Sequence, residues 1–168
     1  MQGPAPDTAQ GVAQLLQVRI GQFDDSLARH FHDINAEWIE AMFTLEPTDR
    51  DVLENPRERI IAPGGDILFV EAPGLGIVGT CALQRTGPGS FELTKMGVDP
   101  EAQGLGIGRK LIEAAIAEAE AECLVRDLVN MPPEDMGPAA LEAECERLAK
   151  AHKAELAVVR GDALEQGY

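Results

Sequence analysis

The sequence predicts an α/β fold in which a mixed, mainly antiparallel sheet is flanked by helices. Two observations carry this prediction. Three strand-like segments, Ile67–Phe69, Gly76–Leu83 and Phe91–Val98, follow one another with Gly- and Pro-rich turns between them, as in an antiparallel meander. Before and after them, apolar residues recur every three to four positions, which is typical of amphipathic helices. A chain of 168 residues suffices for one domain with a small appendage.

The start of the chain has the composition of a loop. Residues 1–14 include several prolines and glycines and are predicted to form a flexible leader. Leu16, Val18 and Ile20 then alternate with polar residues, which predicts a short half-buried strand that ends at Gly21.

A long apolar stripe predicts the first helix. Asp24 or Asp25 is the expected N-cap, because a short side-chain oxygen there accepts a bond from a free backbone N–H. A second helical patch begins at Pro47 and runs to about Leu53, and Pro56–Ile61 adds another turn. The stripe of the first helix consists of Leu27, Phe31, Ile34, Trp38 and Met42.

Another helix is expected after the meander. Its composition is rich in Ala and Glu, and it runs to Val129 before Pro132 and Pro133 stop it. The apolar residues that mark it are Leu111, Ile112, Ala115, Ile116 and Ala119.

The last part of the chain predicts one more helix and one more strand. Asp135 is expected to cap that helix and Pro138 to lie in its first turn. Leu156, Val158 and Val159 indicate a final strand over Ala154–Arg160, which Gly161-Asp162 ends. The expected inner face of the helix consists of Leu141, Cys145, Leu148 and His152.

The charge of the chain restricts its partners. It carries 14 basic and 29 acidic side chains, a formal net charge of -15. Such a surface repels phosphate backbones, so we expect no nucleic-acid partner, and it favours a cationic substrate. No apolar run approaches the roughly 20 residues that cross a bilayer, and residues 1–17 lack the pattern of a signal peptide. We therefore expect a cytoplasmic protein without a membrane partner.

The cysteines and histidines do not form a metal motif. Cys81, Cys123 and Cys145 lack metal-type spacing and are expected to be reduced thiols packed as small apolar groups. His30 and His32 flank the stripe of the first helix with no matching ligand nearby. No metal is therefore expected.

A glycine-rich loop lies between the last strand of the meander and the following helix. Glycines let backbone N–H groups approach an anion closely, and the helix N-terminus adds its positive end. A dinucleotide fold would need a parallel strand–helix unit, and a P-loop would need Gly-Lys-Ser/Thr; the sequence has neither. The remaining alternatives are a pyrophosphate site and a plain connector. The loop consists of Gln103, Gly104, Leu105, Gly106, Ile107 and Gly108, and Arg109 follows it.

With these motifs, residues from about 18 to 121 resemble the GNAT superfamily of N-acetyltransferases. Asn35-Ala-Glu-Trp-Ile39 and Glu92-Leu-Thr-Lys-Met96 resemble stretches of small bacterial members. Gln103–Gly108 matches the superfamily signature Gln/Arg-x-x-Gly-x-Gly/Ala. The resemblance implies a GNAT-like core over residues 15–122 that binds acetyl-CoA as co-substrate. It also implies that the loop amides hold the coenzyme A pyrophosphate and that the backbone of Met96, Gly97 and Val98 pairs with the pantetheine arm.

The chemistry that the resemblance implies is acyl transfer from a thioester to an amine. A carboxylate must accept a proton from the amine, directly or through water, and Glu92 is the candidate; a solvated or structurally paired carboxylate is the alternative. A backbone N–H of Gly97 or Val98 is expected to meet the thioester oxygen. Lys95 should share a face with Gly97 and serve as a structural or substrate-side charge.

The resemblance does not extend to the C-terminal segment. The superfamily's second half usually bears a tyrosine that protonates the leaving thiolate, whereas Tyr168 matches no motif position, so that acid is unassigned. Residues 124–168 instead resemble the linker region of leucine aminopeptidases, in Val125-Arg-Asp-Leu-Val-Asn130 and Pro133-Glu-Asp-Met-Gly-Pro138. Residues 123–168 are therefore predicted to be an extension whose helix and strand replace the usual second half.

Three functional hypotheses follow. The first is an N-acetyltransferase acting on a small-molecule or peptide amine, such as a polyamine, an aminoglycoside or a lysine side chain. The second is a non-catalytic coenzyme A-binding or interaction module, and the third is a fragment of an aminopeptidase fusion. Because a sheet without its second half leaves an open edge, self-association as a homodimer is also expected.

Overall fold

The computed structural model describes residues 18–132, 135, 137–161 and 163, so the predicted leader, Leu16, Asp162 and Tyr168 lie outside the described residues. The chain divides into two compact units between Cys123 and Leu124. The strands are β1 (Arg19–Gln22), β2 (Asp66–Ala72), β3 (Gly76–Gly87) and β4 (Ser90–Val98). The helices are α1 (Ala28–Met42), α2 (Pro47–Glu54), α3 (Ile107–Asn130) and α4 (Pro138–His152).

The sheet of the first unit has the order β1-β2-β3-β4, and each neighbouring pair is antiparallel. The predicted meander is therefore confirmed, with turns at Gly74 and at Gly89. The predicted fold class, an α/β fold with a mainly antiparallel sheet flanked by helices, is confirmed, and every strand pair among the described residues is antiparallel. Because β4 pairs only with β3, its outer edge has no partner strand in this part of the chain.

The β1 strand differs from its prediction in burial and in length. It extends through Gly21 to Gln22, and all four of its residues are exposed. A strand at the edge of a sheet has a neighbour on one side only, and β1 pairs with β2 alone. The expected half-buried pattern is therefore wrong for this strand.

The α1 helix begins as predicted but buries a different face. Asp24 Oδ1 accepts a hydrogen bond from the Ser26 backbone N–H at 2.9 Å, and a single 3₁₀ turn leads into the helix. The buried residues of the helix are Phe31, Asn35, Ala36 and Ile39. Trp38 and Met42, predicted to be buried, are 45% and 56% exposed. The predicted stripe is therefore wrong at its last two positions.

The contact between α1 and β4 explains this rotation of the helix. A Cβ atom on Gly97 would lie 2.8 Å from Ile34 Cγ2 and 3.3 Å from the Ile34 carbonyl oxygen. The first distance is shorter than real Cβ contacts and the second is a tight one, so a side chain here would require α1 or the strand to shift, and the glycine lets the α1 backbone lie directly against the strand. The helix face that includes Asn35 then turns inward and Trp38 turns outward.

Each face of the sheet carries its own apolar core. On one face, Phe31 of α1 and Leu53 of α2 pack with Phe69 of β2. On the other, Ile107 and Leu111 of α3 pack with residues of β2 and β3. Ile112 and Ile116, predicted for the inner face of α3, are 42% and 53% exposed, because the buried stripe is narrower than expected and consists of Ile107, Leu111 and Ala115.

The second unit contains the end of α3 and the whole of α4. Pro138 occupies the first turn of α4 as predicted, but Gly137 is the N-cap residue and Asp135 is not. No residue of α4 is buried, so its predicted inner face is wrong for the described residues. No helix of the described chain is long and apolar enough to cross a membrane.

The predicted strand over Ala154–Arg160 is absent from the structure. These residues are exposed and belong to no strand. A strand requires a neighbour to complete its backbone hydrogen bonds, and the second unit offers none among its described residues. The C-terminal segment was predicted to contain a helix and a strand, and among its described residues it contains the helix α4 and no strand.

The half-buried carboxyl of Asp66, at the start of β2, gives a test of this fold. Burial raises the pKa of Asp66, and the nearby charges of Glu118 and Glu122 raise it further, against a hydrogen bond from the Ile67 backbone N–H. The pKa of Asp66 is therefore higher in the folded protein than in the unfolded chain, where it has the ordinary aspartate value of about 3.9. The protonated carboxyl stabilises the fold fully below that ordinary value, and this stabilisation is lost as the pH rises through the raised folded-state pKa.

We expect Asp66→Asn to raise the melting temperature at pH 7, because the amide remains neutral in its half-buried place. The difference from the parent protein should shrink to nothing at about pH 3, near and below the ordinary pKa. Thermal unfolding monitored by circular dichroism across this pH range measures it. Glu120→Gln is the matched control, because Glu120 is exposed and lies on α3, the helix that carries Glu118 and Glu122. A parent protein more stable than Asp66→Asn at pH 7 would contradict the prediction.

Candidate functional site

The backbone of β4, the strand at the edge of the sheet, is irregular at Lys95 and Met96. Its register with β3 shifts between Thr80–Gly97 and Ala82–Thr94, so that two residues, Lys95 and Met96, oppose one residue of β3. Lys95 has a φ of 47°, in the left-handed region that residues with a Cβ rarely adopt. This is the geometry of a β-bulge, which re-aims side chains and is frequent beside active sites. The alternation in the sequence gave no signal for it.

An ion pair anchors the bulge to α2. Lys95 Nζ donates a hydrogen bond to Asp49 Oδ1, and the two side chains are 16% and 27% exposed. Asp49 belongs to α2, and Gly97 lies beside α1. Both helices pack on the same face of the sheet, so Lys95 and Gly97 share that face, as the alternation predicts. Lys95 is therefore engaged in the structure as a partner of Asp49.

The glycine-rich loop combines two left-handed residues with free backbone donors. Gly104 and Gly106 have φ values of 78° and 76°, and no atom lies within 4 Å of a Cβ placed on either. Within the described chain, the backbone N–H groups of residues 104–109 donate no hydrogen bond. Gln103 Nε2 donates to the Val98 carbonyl at 3.3 Å, which ties the loop to the end of β4. The loop therefore presents donors to open space at a helix N-terminus.

The side chains of the predicted loop residues have different positions. Ile107 is 2% exposed in the core, and Leu105 packs against the same core. A Cβ on Gly108 would lie 3.3 Å from Met96 Cε, so this glycine lets the helix approach β4. Arg109 Nε donates to Glu113 Oε1 at 2.7 Å, and this hydrogen bond raises the pKa of the guanidinium. The Arg109 charge is thus partly neutralised by its own helix.

The remaining predicted residues lie along β4. Met96 and Val98 pack against the α3-side core, and Gly97 faces α1. Glu92 lies opposite Gln84 in the register and is exposed, and its carboxylate makes no hydrogen bond or ion pair within the described chain. At about 3.3 Å per residue, its Cα lies about 10 Å along the strand from Lys95. The structure therefore brings Met96–Val98 and the loop together and leaves Glu92 apart from them.

A cavity of about 590 Å³ opens between α1, the segment that leads into α2, and β4. We call it the α1–β4 cavity. Its size is within the range of small-molecule sites. Its position was missed by sequence reasoning, which used Asn35-Ala-Glu-Trp-Ile39 only as a mark of family likeness. Its lining includes Asn35 and Trp38 of α1, Phe43 and Glu46 of the segment that leads into α2, and Leu93, Lys95 and Met96 of β4.

The described residues contain no group of three or more His, Cys, Asp or Glu side chains placed to hold a metal ion. His32 Nδ1 instead lies 3.0 Å from Asp33 Oδ1 on the surface of α1. The buried Cys81 is chemically quiet, because burial raises the pKa of its thiol to about 12.

Comparison with protein families identifies the class of this fold and site. Residues 64–154, more than half of the chain, match the acetyltransferase (GNAT) domain family. The chain therefore belongs to the GNAT acetyltransferase family, and the predicted resemblance is confirmed. The match continues into α4, within the segment predicted as a separate extension. It gives no support to the aminopeptidase resemblance of residues 124–168, which stays a prediction, as do the proposed domain boundaries.

Comparison with solved structures gives the same fold. A GNAT acetyltransferase from Staphylococcus aureus MU50 is 23% identical with a TM-score of 0.56, over 62% of this chain and 67% of that one. An acetyltransferase from Streptococcus agalactiae 2603 is 21% identical with a TM-score of 0.53, over 62% and 66%. A GNAT acetyltransferase from Brucella melitensis, solved in complex with acetyl-CoA, is 20% identical with a TM-score of 0.52, over 63% and 70%.

The alignments thus cover about two thirds of the first two of these relatives. No curated protein matches the sequence.

The bulge at Lys95 predicts an unusual order of stability for two variants. At an ordinary strand position, a variant with glycine is less stable than a variant with alanine. At Lys95 the left-handed backbone conformation is unfavourable for any residue with a Cβ, so the order should reverse. Both Lys95→Gly and Lys95→Ala lose the ion pair with Asp49, so their difference isolates the backbone term. We expect Lys95→Gly to be more stable than Lys95→Ala by about 1 kcal/mol in urea unfolding. A more stable Lys95→Ala would show that the bulge is not retained in solution.

Proposed function

We propose that this chain is an acetyl-CoA-dependent N-acetyltransferase, which moves an acetyl group from the thioester to an amine. The observation that carries the proposal is the continuity between the open edge of β4 and the free N–H groups of residues 104–109. Gln103 joins the two through its hydrogen bond to the Val98 carbonyl. Together they form one row of backbone groups suited to an extended ligand with an anionic end.

The loop fits a pyrophosphate. Oxygen acceptors need N–H donors, and the loop presents successive donors without a competing acceptor among the described residues. The open space at Gly104 and Gly106 leaves room for the phosphate groups. Gly104, Leu105, Gly106, Ile107, Gly108 and Arg109 would contribute backbone N–H groups, and Arg109 adds a charge that it shares with Glu113. The Gln103 N–H is already donated to the Pro100 carbonyl, so Gln103 would contribute by holding the loop against β4.

The edge of β4 fits an extended arm with amide groups. An unpaired strand edge offers alternating N–H and C=O groups, and a ligand with peptide-like amides pairs with it as an added strand would. Met96, Gly97 and Val98 are the residues next to the loop on this edge. The bulge at Lys95 interrupts the regular β3–β4 ladder just before these residues.

Acetyl-CoA, when bound, supplies an activated acetyl thioester. The amine nitrogen forms the new bond to the carbonyl carbon, the carbon–sulfur bond breaks, and the amine gives up a proton. A backbone N–H of Gly97 or Val98 would face the thioester oxygen. Glu92 is the proposed proton acceptor, and its distance along the strand favours transfer through water. The group that protonates the leaving thiolate is unassigned.

A second candidate is a coenzyme A-binding module without catalysis. The observation that favours it is that Glu92 is exposed and is not one of the residues that line the α1–β4 cavity, although the cavity begins at its neighbour Leu93. Under either candidate, a cytoplasmic location and a homodimer stay proposals, and the net charge of -15 favours a cationic amine such as a polyamine, an aminoglycoside or a lysine side chain.

Cofactor binding is tested by a matched pair of glycine variants. Gly74 and Gly106 have φ values of 80° and 76°, and no atom lies within 4 Å of a Cβ on either. Gly106→Ala and Gly74→Ala should therefore cost similar stability, on the order of 1 kcal/mol. We expect calorimetry to find micromolar acetyl-CoA binding by the parent and by Gly74→Ala, and binding at least tenfold weaker by Gly106→Ala. No binding by the parent protein would refute the proposal.

Catalysis is tested at Glu92. Glu92→Gln keeps the size of the side chain and removes its basicity, so kcat should fall about 100-fold or more with acetyl-CoA affinity unchanged. Acetyl-CoA consumption with spermidine, kanamycin and N-acetyl-lysine amide provides the measurement, and Glu101→Gln is an exposed control. Binding of acetyl-CoA without turnover of any of these amines by the parent would favour the non-catalytic candidate.

A further inference from the structure

Asn35 has one end of its side-chain amide fixed and the other end free. Its Nδ2 donates to the Phe31 carbonyl at 2.8 Å, one turn back in α1. Only the NH₂ end of an amide can donate to a carbonyl, so the oxygen must lie at the other end. Oδ1 is buried and accepts no hydrogen bond from the described residues. It lies 3.5 Å from the place of a Cβ on Gly97, beside the strand edge described above.

The free oxygen of Asn35 is costly for folding. A buried acceptor without a donor loses its hydration and gains nothing in return. Asn35 is 1% exposed, and leucine would fill a similar volume without this cost. The oxygen therefore completes no hydrogen bond in the fold of the described residues, and Asn35 is one of the residues that line the α1–β4 cavity.

The rest of the cavity wall is suited to a positive charge. Lys95 and Asp49 neutralise each other, whereas the Glu46 carboxylate has no ion pair within the described chain. Trp38 is 45% exposed and borders the same space. An indole face attracts an ammonium group through its quadrupole, and a nearby carboxylate adds to this attraction. A ligand with N–H donors and a positive charge satisfies all three groups.

From these contacts we infer that Asn35 and Trp38 recognise the amine acceptor, and that Asn35 Oδ1 accepts a hydrogen bond from its nitrogen. The inference rests on the proposed function and specifies the amine side of the same site. Gly97 lies next to Oδ1 and belongs to the segment proposed to hold the thioester. An amine bound to Asn35 is therefore held beside the strand at which the acetyl group would lie. Asn35 would act as a positioning residue.

Thr80 provides a matched control. Its hydroxyl is also buried and without a hydrogen-bond partner in the described chain, and Thr80 lies opposite Gly97 in the register. It lies outside the lining of the α1–β4 cavity. Thr80→Val should therefore relieve a similar buried polar group without changing amine binding, whereas Asn35→Leu should change it.

The experiment uses the fluorescence of Trp38, which is the single tryptophan of the chain and lies in the cavity wall. The full chain is titrated with Nα-acetyl-lysine amide, and with Nα-acetyl-norleucine amide, which has the same four side-chain carbons and lacks the ammonium group. We expect a saturable change with the lysine derivative only. Its Kd should rise about tenfold or more in Asn35→Leu and stay within twofold in Thr80→Val.

Stability measured on the same samples separates recognition from structure. Asn35→Leu should melt no lower than the parent, because it removes an unpaired buried oxygen. If Asn35→Leu does not fold, Asn35→Ala replaces it, with the same expected loss of amine affinity. Equal Kd values for the parent and the Asn35 variant, or no saturable change in the parent, would overturn the inference. So would an equal loss of affinity in Thr80→Val.

Calorimetry with acetyl-CoA on these preparations distinguishes this failure from failure of the proposed function. The Asn35 variant should bind acetyl-CoA with the affinity of the parent. Amine binding that depends on Asn35 without any acetyl-CoA binding would refute the transferase and leave the amine site. Acetyl-CoA binding with amine binding that ignores Asn35 would refute the amine site and leave the transferase.

Discussion

The close approach of α1 to β4 at Gly97 is the contact on which the arrangement of the site depends. A Cβ on that residue would meet Ile34 Cγ2 at 2.8 Å, so the helix can occupy its place only against a bare backbone. From this contact follow the inward position of Asn35 and the outward position of Trp38. Both side chains then belong to one cavity that ends at the strand edge. A single missing methyl group thus determines what the helix presents on each side.

A second contact holds the strand in a form that a regular ladder would not adopt. The bulge places Lys95 in the left-handed region, and the ion pair with Asp49 keeps it there. Such strain persists only where surrounding contacts over-determine the backbone. Here α2 supplies one contact and the Gly97 approach supplies the other. The irregular segment, Lys95 and Met96, consequently lines the α1–β4 cavity and leads to Val98, which the glycine-rich loop contacts through Gln103.

The features that the sequence predicts well are those set by local chemistry. Alternation and Gly/Pro turns define β2, β3 and β4, and the Asp24 cap and the proline positions define helix starts. The glycine-rich loop is predicted from its glycines and its place between a strand and a helix, and its spacing also matches a family signature. The rotation of α1 is not predicted from the sequence. Trp38 and Met42 fit the helical period as well as the residues that are buried do, and only the contact with the distant Gly97 decides which face turns inward.

The same limit applies to the bulge, to the expected strand over 154–160, and to the place of Glu92. Each depends on which backbone lies alongside, and that information is non-local.

The open edge of β4 has a consequence for the protein in solution. An exposed row of strand donors and acceptors is a template for another copy of the same chain, and natural proteins protect such edges with charge. Here the excess of acidic groups, a net charge of -15, provides a general repulsion between copies. Acidification toward the isoelectric point, about 4.5, removes that repulsion while the edge stays available. The edge of β4 that is proposed to bind the ligand is therefore also the edge through which copies of the chain would associate. A ligand that covers this edge also opposes aggregation.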